Sequence, residues 1–456
     1  MRSPILMKRV FYGDGLQARS LRSVMLTAFQ FGAGNFLRLL SSLILTRLLF
    51  PDAFGLMALV QVAMTGLFLL SDFGFSAAIV QNERGEDPRY FQTAWTLKVI
   101  RGVILSICAA LIAAPVARFY DEPMIAQLLP VVGLTAILNG LSSMHLATAN
   151  RKLLLGRVTA LNLTGQVVTL IATVVLAFLL NSVWALVFGA LIGSAYFSLA
   201  SHFVIPGERA RFFLEREAAK SLFGFGKFIF FGTVATFLIN HGDRAILGKF
   251  VPVDVLAIYQ IGLLFATIPF MFGSALSSKV IFPLYSRMRE TNEPRQRQKL
   301  RKSRFALSGI LFAVSIVLAL CGNSIIQLLY DPRYHSAGPV LVLGSLALLP
   351  ALLSLTYSQY ALAAGHSGRY SMLVVLTALI QITALFGGIL FMGIAGALLA
   401  PAIASILVYP LLVYLIRPYG GWDPSHDAIF ALIGIVSVGL VWMLHGDILK
   451  PLFLPI

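Results

Sequence analysis

The chain has 456 residues, 58% of them hydrophobic and 12% charged, with 35 Lys and Arg against 19 Asp and Glu. Its mean hydropathy is +0.86. A soluble domain carries about twice that charged fraction, so an ordinary water-soluble enzyme or binding domain is excluded.

Basic Arg2, Lys8 and Arg9 precede an apolar stretch at 24–45. That stretch is too long for the core of a signal peptide, and it reads as a first membrane span. A span needs about 20 mostly apolar residues. On that criterion spans fall near 23–46, 54–79, 94–117, 125–148, 158–180, 182–204, 224–245, 254–278, 304–328, 338–363, 371–392, 395–416 and 427–445. The expected fold class is therefore an all-α integral membrane protein. Cys108 and Cys321 both lie inside apolar runs and show no metal-ligand or disulfide spacing.

With the N-terminus on the cytoplasmic side, 28 of the 35 Lys and Arg fall on cytoplasmic segments. Six (Arg47, Arg118, Arg244, Lys249, Arg333 and Lys450) fall outside, and Arg38 lies within the first span. A bias of this size sets the orientation. The net charge of +16 is mostly a topology signal. No nucleic-acid partner is expected, because no aromatic or folded module accompanies the basic 287–304 loop. Contact with anionic lipid headgroups suits that loop better.

The sequence also repeats itself. Arg47-Leu-Leu-Phe-Pro51-Asp is echoed by Lys249-Phe-Val-Pro252-Val-Asp, Tyr120-Asp-Glu-Pro123 by Tyr330-Asp-Pro332, and Gly156-Arg157 by Gly368-Arg369. The offsets are about 200–212 residues. Six spans separate equivalent points, so two six-helix lobes related by a pseudo-two-fold along the membrane normal are expected. The corresponding division is a cytoplasmic segment 1–22, a lobe 23–204, a cytoplasmic linker 205–223, a second lobe 224–416, and an extra helix with a short tail over 417–456. Such repeats typify secondary transporters, with the substrate site at the repeat interface.

Enzyme signals are weak. No phosphate-binding G-x-x-x-x-G-K-[ST] loop occurs, and the seven histidines lack metal-ligand spacing. No cofactor and no metal are expected. Polar residues inside spans are more informative, because they are costly there. Asn35, Arg38, Ser42 and Thr46 share one helical face, which should line a cavity or the bundle interior; alternatively Arg38 pairs with an acid. Lys98 and Arg101, at i and i+3 in the third span, either reach a substrate or snorkel to the surface. Asp72 in the second span is a candidate ion-coupling carboxylate or a structural partner of Arg38 or Arg101. Asn240, Asp243 and Arg244 share a face at the end of the seventh span, either as a site or as a headgroup-level cap. Asn139 reads as interhelical glue.

Five stretches, in order, resemble one family. They are Thr46-Arg-Leu-Leu-Phe-Pro-Asp-Ala-Phe-Gly-Leu-Met-Ala-Leu59, Asp72-Phe-Gly-Phe-Ser-Ala-Ala-Ile-Val-Gln81, Ala114-Pro-Val-Ala-Arg-Phe-Tyr-Asp-Glu-Pro123, Gly242-Asp-Arg-Ala-Ile-Leu-Gly-Lys-Phe250 and Phe282-Pro-Leu-Tyr-Ser-Arg287. Together they resemble the bacterial polysaccharide exporters, the Wzx-type oligosaccharide flippases of the MOP superfamily, over roughly residues 20–416. Members commonly have 12 or 14 spans, and the thirteen counted here depart from that.

The resemblance implies an inner-membrane flippase. Its substrate would be a polyprenyl-pyrophosphate-linked oligosaccharide, moved by alternating access for surface polysaccharide synthesis, with membrane lipids and a polysaccharide polymerase or export machinery as partners. A pyrophosphate needs permanent positive charge, and Arg presents a bidentate fork. Arg38 is the first candidate, followed by Arg101, Lys98 and Arg244. Asn35, Asn139, Asn240 and Tyr259 would bind sugar hydroxyls, and Asp72 and Asp243 are candidates for coupling to H+ or Na+. The rivals are a multidrug or metabolite antiporter of the same superfamily, a peptidoglycan-precursor flippase, a membrane glycosyltransferase and a scaffold.

Overall fold

The computed structural model describes residues 16–71, 79, 87–151, 155–204, 211–226, 229–281, 284–285, 294–363, 367–417 and 421–455. The chain divides into two compact units, residues 1–230 and 231–456. Among the described residues every regular element is a helix.

The first unit holds α1 (Leu16–Leu48), α2 (Pro51–Leu70), α3 (Pro88–Tyr120), α4 (Met124–Leu141), the short α5 (His145–Arg151), α6 (Leu155–Leu180), α7 (Trp184–Val204) and α8 (Arg216–Gly226). The second holds α9 (Ile229–Phe250), α10 (Val253–Ala266), α11 (Ile268–Leu276), α12 (Pro294–Leu329), α13 (Ala337–Ala347), α14 (Leu349–Ala363), α15 (Ser367–Ile416) and α16 (Pro424–Leu449).

Local chemistry sets many of the boundaries. Asp-Pro pairs start helices, with Asp as N-cap and Pro at the first position, where its missing N–H costs nothing. Asp87 accepts from the Arg89 amide at 3.0 Å, and Asp423 accepts from the His426 amide at 3.2 Å. At the other ends, Asp121 (φ 57°) and Asn181 (φ 44°) adopt the left-handed conformation and stop α3 and α6.

Among the described residues nine helices are long and apolar enough to cross a membrane, and α10 with α11 makes a tenth span bent by 41°. α15 is two spans. At Gly393 (φ 56°, ψ −137°) the chain turns back, so that a Cβ on Gly388 would lie 2.8 Å from the Gly396 carbonyl oxygen. With α1 and α9, which have span length but contain charged residues, thirteen span-length segments are present among the described residues. This matches the number read from the sequence. Large apolar side chains such as Phe178, Phe203, Leu328, Phe391 and Met443 are exposed, as expected where the solvent is lipid.

Several boundaries differ from expectation, each for a visible reason. The fourth span stops at Leu141 and restarts as α5, because Ser142 leaves the helical region (ψ 148°). The seventh runs on to Phe250, so Asp243 and Arg244 lie inside a helix rather than at its end. Part of the 205–223 segment is docked. Ala218 and Leu222 of α8 are buried against Tyr90, Phe91, Ala94 and Trp95 of α3. The Phe213 and Glu215 amides donate to the hydroxyls of Thr96 and Thr93, both at 3.0 Å.

Candidate functional site

Unit two contains a cavity of about 390 Å³ lined by α9, α10, α11, α13, α14 and both halves of α15. Its walls are apolar with a scatter of polar groups, the usual make-up of a ligand site. Asn240, Asp243, Arg244 and Tyr259, all singled out from the sequence, line it together. The i, i+3, i+4 spacing on α9 puts the first three on one face, and Tyr259 of α10 reaches Asp243.

The Tyr259 hydroxyl, in a side chain only 2% exposed, donates to Asp243 Oδ2 at 3.0 Å. The other carboxylate oxygen of Asp243 and the Arg244 Nε are buried with no hydrogen-bond partner among the described residues. Unsatisfied buried polar atoms are costly. An acceptor for Arg244 and a donor for Asp243 are what a bound ligand would bring. Gln381, whose amide donates to the Ile239 carbonyl at 2.9 Å, Thr377, Ser354 and Ser405 add further polar edges.

The first-unit candidates are placed differently. Arg38 is exposed on the surface of its unit rather than buried within it. Asn35 is half-buried and donates to the Phe31 carbonyl of its own helix at 2.8 Å. Lys98 and Arg101 diverge and cap two neighbouring helices. Lys98 Nζ donates to the carbonyl (3.1 Å) and hydroxyl (2.6 Å) of Ser142, just past the end of α4. Arg101 donates to the Phe68 carbonyl (2.6 Å) and the Ser71 hydroxyl (3.0 Å) at the end of α2. Both cations satisfy orphan helix-end groups and face the negative end of a helix dipole. Asn139 is half-buried near the end of α4. Asp72 lies outside the described residues.

The capping geometry leads to a measurable expectation. Charge-assisted hydrogen bonds are worth about 1.5–3 kcal/mol each. Arg101→Met is therefore expected to lower the unfolding temperature of the purified protein by several degrees. An unchanged unfolding temperature would show that the caps on α2 carry no stability.

Sequence reasoning missed a second polar group in this unit, formed by His426, Asp427, Tyr357, Tyr409 and Arg304. It lies where the last apolar run begins, in Trp422-Asp423-Pro424-Ser425-His426-Asp427. The Asp-Pro start signal was available there, but starting the span at 427 placed His426 in a loop.

Unit two thus encloses a largely apolar cavity with a few polar edges between helices of span length. The family described as polysaccharide biosynthesis proteins matches residues 44–339, and the chain belongs to that family. The teichuronic acid biosynthesis protein TuaB of Bacillus subtilis (strain 168) is 20% identical over 289 residues, covering 62% of this chain and 59% of TuaB. The chain thus spans about three fifths of that relative's length. Among solved structures, the lipid II flippase MurJ in an inward closed conformation aligns with TM-score 0.66 at 14% identity, covering 94% of this chain and 99% of MurJ. An inward-facing multidrug resistance MATE transporter of the MOP superfamily aligns with TM-score 0.62 at 14% identity, covering 84% and 93%. The Vibrio cholerae MATE transporter VcmN D35N mutant aligns with TM-score 0.56 at 16% identity, covering 88% and 97%. The fold is shared with MurJ and these MATE transporters.

Proposed function

We propose that this protein flips a polyprenyl-pyrophosphate-linked oligosaccharide across the bacterial inner membrane by alternating access, for surface polysaccharide assembly. The observation that supports this most is Arg244. It is a permanent cation in an intramembrane cavity, with a buried Nε that lacks a protein partner among the described residues. A pyrophosphate supplies the acceptors for it. Asn240, Gln381, Thr377 and Ser354 offer hydrogen bonds to sugar hydroxyls, and a polyprenyl tail needs no site of its own in lipid. On this reading the N-terminus is cytoplasmic, as the basic-residue bias supports. A polymerase or export complex would use the product, and Arg38 serves as an outlying cation on the substrate's route.

The test is flipping of a labelled lipid-linked oligosaccharide in proteoliposomes. Movement above protein-free vesicles supports the reading. Without such movement, protection of cells against cationic dyes would point to a drug antiporter, the reading that the open carboxylate oxygen of Asp243 favours.

A further inference from the structure

The cluster at the start of α16 is a titratable site that the transport cavity does not explain. Asp423 caps the helix and Pro424 opens it, which turns His426 and Asp427 inward. His426 is fully buried and Asp427 is 6% exposed. Asp427 Oδ1 accepts from the Tyr357 hydroxyl at 2.6 Å and faces His426 Nδ1 at 2.8 Å. Its Oδ2 accepts from Trp422 Nε1 at 3.0 Å and from the Tyr409 hydroxyl. His426 Nε2 lies 3.0 Å from the hydroxyl of Ser308, a fully buried residue of α12. Phe305 and Phe430 close around the imidazole, with ring centroids at 4.9 and 4.8 Å.

The surrounding charges can be followed element by element. From α12, Arg304 is 3% exposed, stacks over the Tyr357 ring at 3.8 Å and donates to the Gly421 carbonyl at 2.8 Å. Arg301 pairs with Asp423 at 3.0 Å. Burial pushes the Asp423 carboxyl up, but the Ser425 hydroxyl, the His426 amide and both arginines outweigh it and hold the group below its usual range. Tyr285 is buried and donates to the Thr356 carbonyl at 3.2 Å. α14 and α15 contribute Tyr357 and Tyr409. Arg304 and Asp427 cancel, as do Arg301 and Asp423. Arg417 adds a cation over the Trp422 ring at 6.0 Å, so protonation of the imidazole would raise the charge of the cluster by one.

Its bonding fits both states. Asp427 is surrounded by donors, so it stays an acceptor and fixes the proton on Nδ1. When His426 is neutral, the Ser308 hydroxyl donates to the Nε2 lone pair. When a proton from water adds to that lone pair, the new N–H donates to the same oxygen after the hydroxyl turns. No heavy atom has to move. Asp427, Trp422 and Tyr409 line an apolar cavity of about 640 Å³ beside the cluster, and Tyr409 also lines the cavity that holds Arg244. The two cavities also share Ser354 and Ser405, and Tyr409 is the shared residue that hydrogen-bonds to Asp427.

We propose that His426, held by Asp427 and Ser308, is the proton-binding site of this transporter and that Tyr409 links it to the cavity. The link to transport rests on the function proposed above, whereas proton binding does not.

The test begins without substrate. In protein labelled at the ring carbons of its seven histidines and held in lipid nanodiscs, the resonance missing from His426→Gln identifies His426. That resonance is expected to move as pH is varied over the range in which the protein stays folded, and the other six, unmoved in the variant, report an intact fold. A resonance that stays fixed across that range would overturn the proposal. In proteoliposomes carrying labelled lipid-linked oligosaccharide, the acceleration given by a pH gradient is expected to be lost in His426→Gln and kept in His335→Gln. An unchanged gradient effect in His426→Gln would also overturn it. Failure of wild type to flip the glycan would count against the transport reading and leave the titration result standing.

Discussion

Arg244→Gln is expected to slow flipping of a lipid-linked oligosaccharide in proteoliposomes by about 10- to 100-fold, the equivalent of one charge-assisted hydrogen bond of about 1.5–3 kcal/mol. The substitution keeps much of the side-chain volume and a hydrogen-bonding head while removing the charge and the fork. Arg244→Lys keeps the charge but not the bidentate geometry, and should fall between the two. Stability should move the other way or not at all, because Arg244 Nε has no partner among the described residues to lose. Tyr259→Phe gives a contrasting control. It leaves Asp243 Oδ2 without the 3.0 Å hydrogen bond it accepts, and so should cost stability first. Flipping at the wild-type rate by a folded Arg244→Gln protein would move the anion site out of this cavity, with Arg38 the next to test.

The spans were legible because lipid imposes a length and a composition, and among the described residues thirteen helical segments of span length fall in the order read from hydropathy. Ends were less legible where a charge is accommodated inside. α9 continues past Asp243 and Arg244 because a cavity and Tyr259 receive them, and hydropathy alone has no means of seeing a cavity. The face shared by Asn240, Asp243 and Arg244 was visible from spacing, and the cavity brings those three together with Tyr259. Lys98 and Arg101 show the opposite lesson. Spacing placed two cations on one stretch of helix, but their partners are the ends of α4 and α2, some 30 to 44 residues away in sequence. The His426 cluster was the hardest to read, since it draws on α12, α14, α15 and α16 at once, and no one-dimensional pattern joins them.

The largest loss of stability should come from a residue with no side chain. Between helices in lipid there is little hydrophobic drive, so close backbone approach supplies the packing energy. α3 and α4 meet in this way. A Cβ on Gly102 would lie 2.5 Å from the Ala136 carbonyl oxygen, and one on Gly140 would lie 3.1 Å from the Lys98 carbonyl oxygen. These obstacles are backbone and cannot rotate away. Gly102→Leu must therefore push the two helices apart, which costs about 3 kcal/mol or more. It also pulls Lys98 from Ser142, because the capping contact at 2.6 Å spans the same seam. The expected result is a fall of about 5 °C or more in the unfolding temperature of the purified protein, with less folded protein recovered. Gly439→Ala is the matched control. Nothing lies within 4 Å of its added Cβ, and alanine favours a helix over glycine by about 1 kcal/mol, so that variant should be neutral or slightly more stable. If Gly102→Leu proved as stable as Gly439→Ala, the seam between α3 and α4 would have to be looser than the backbone distances allow.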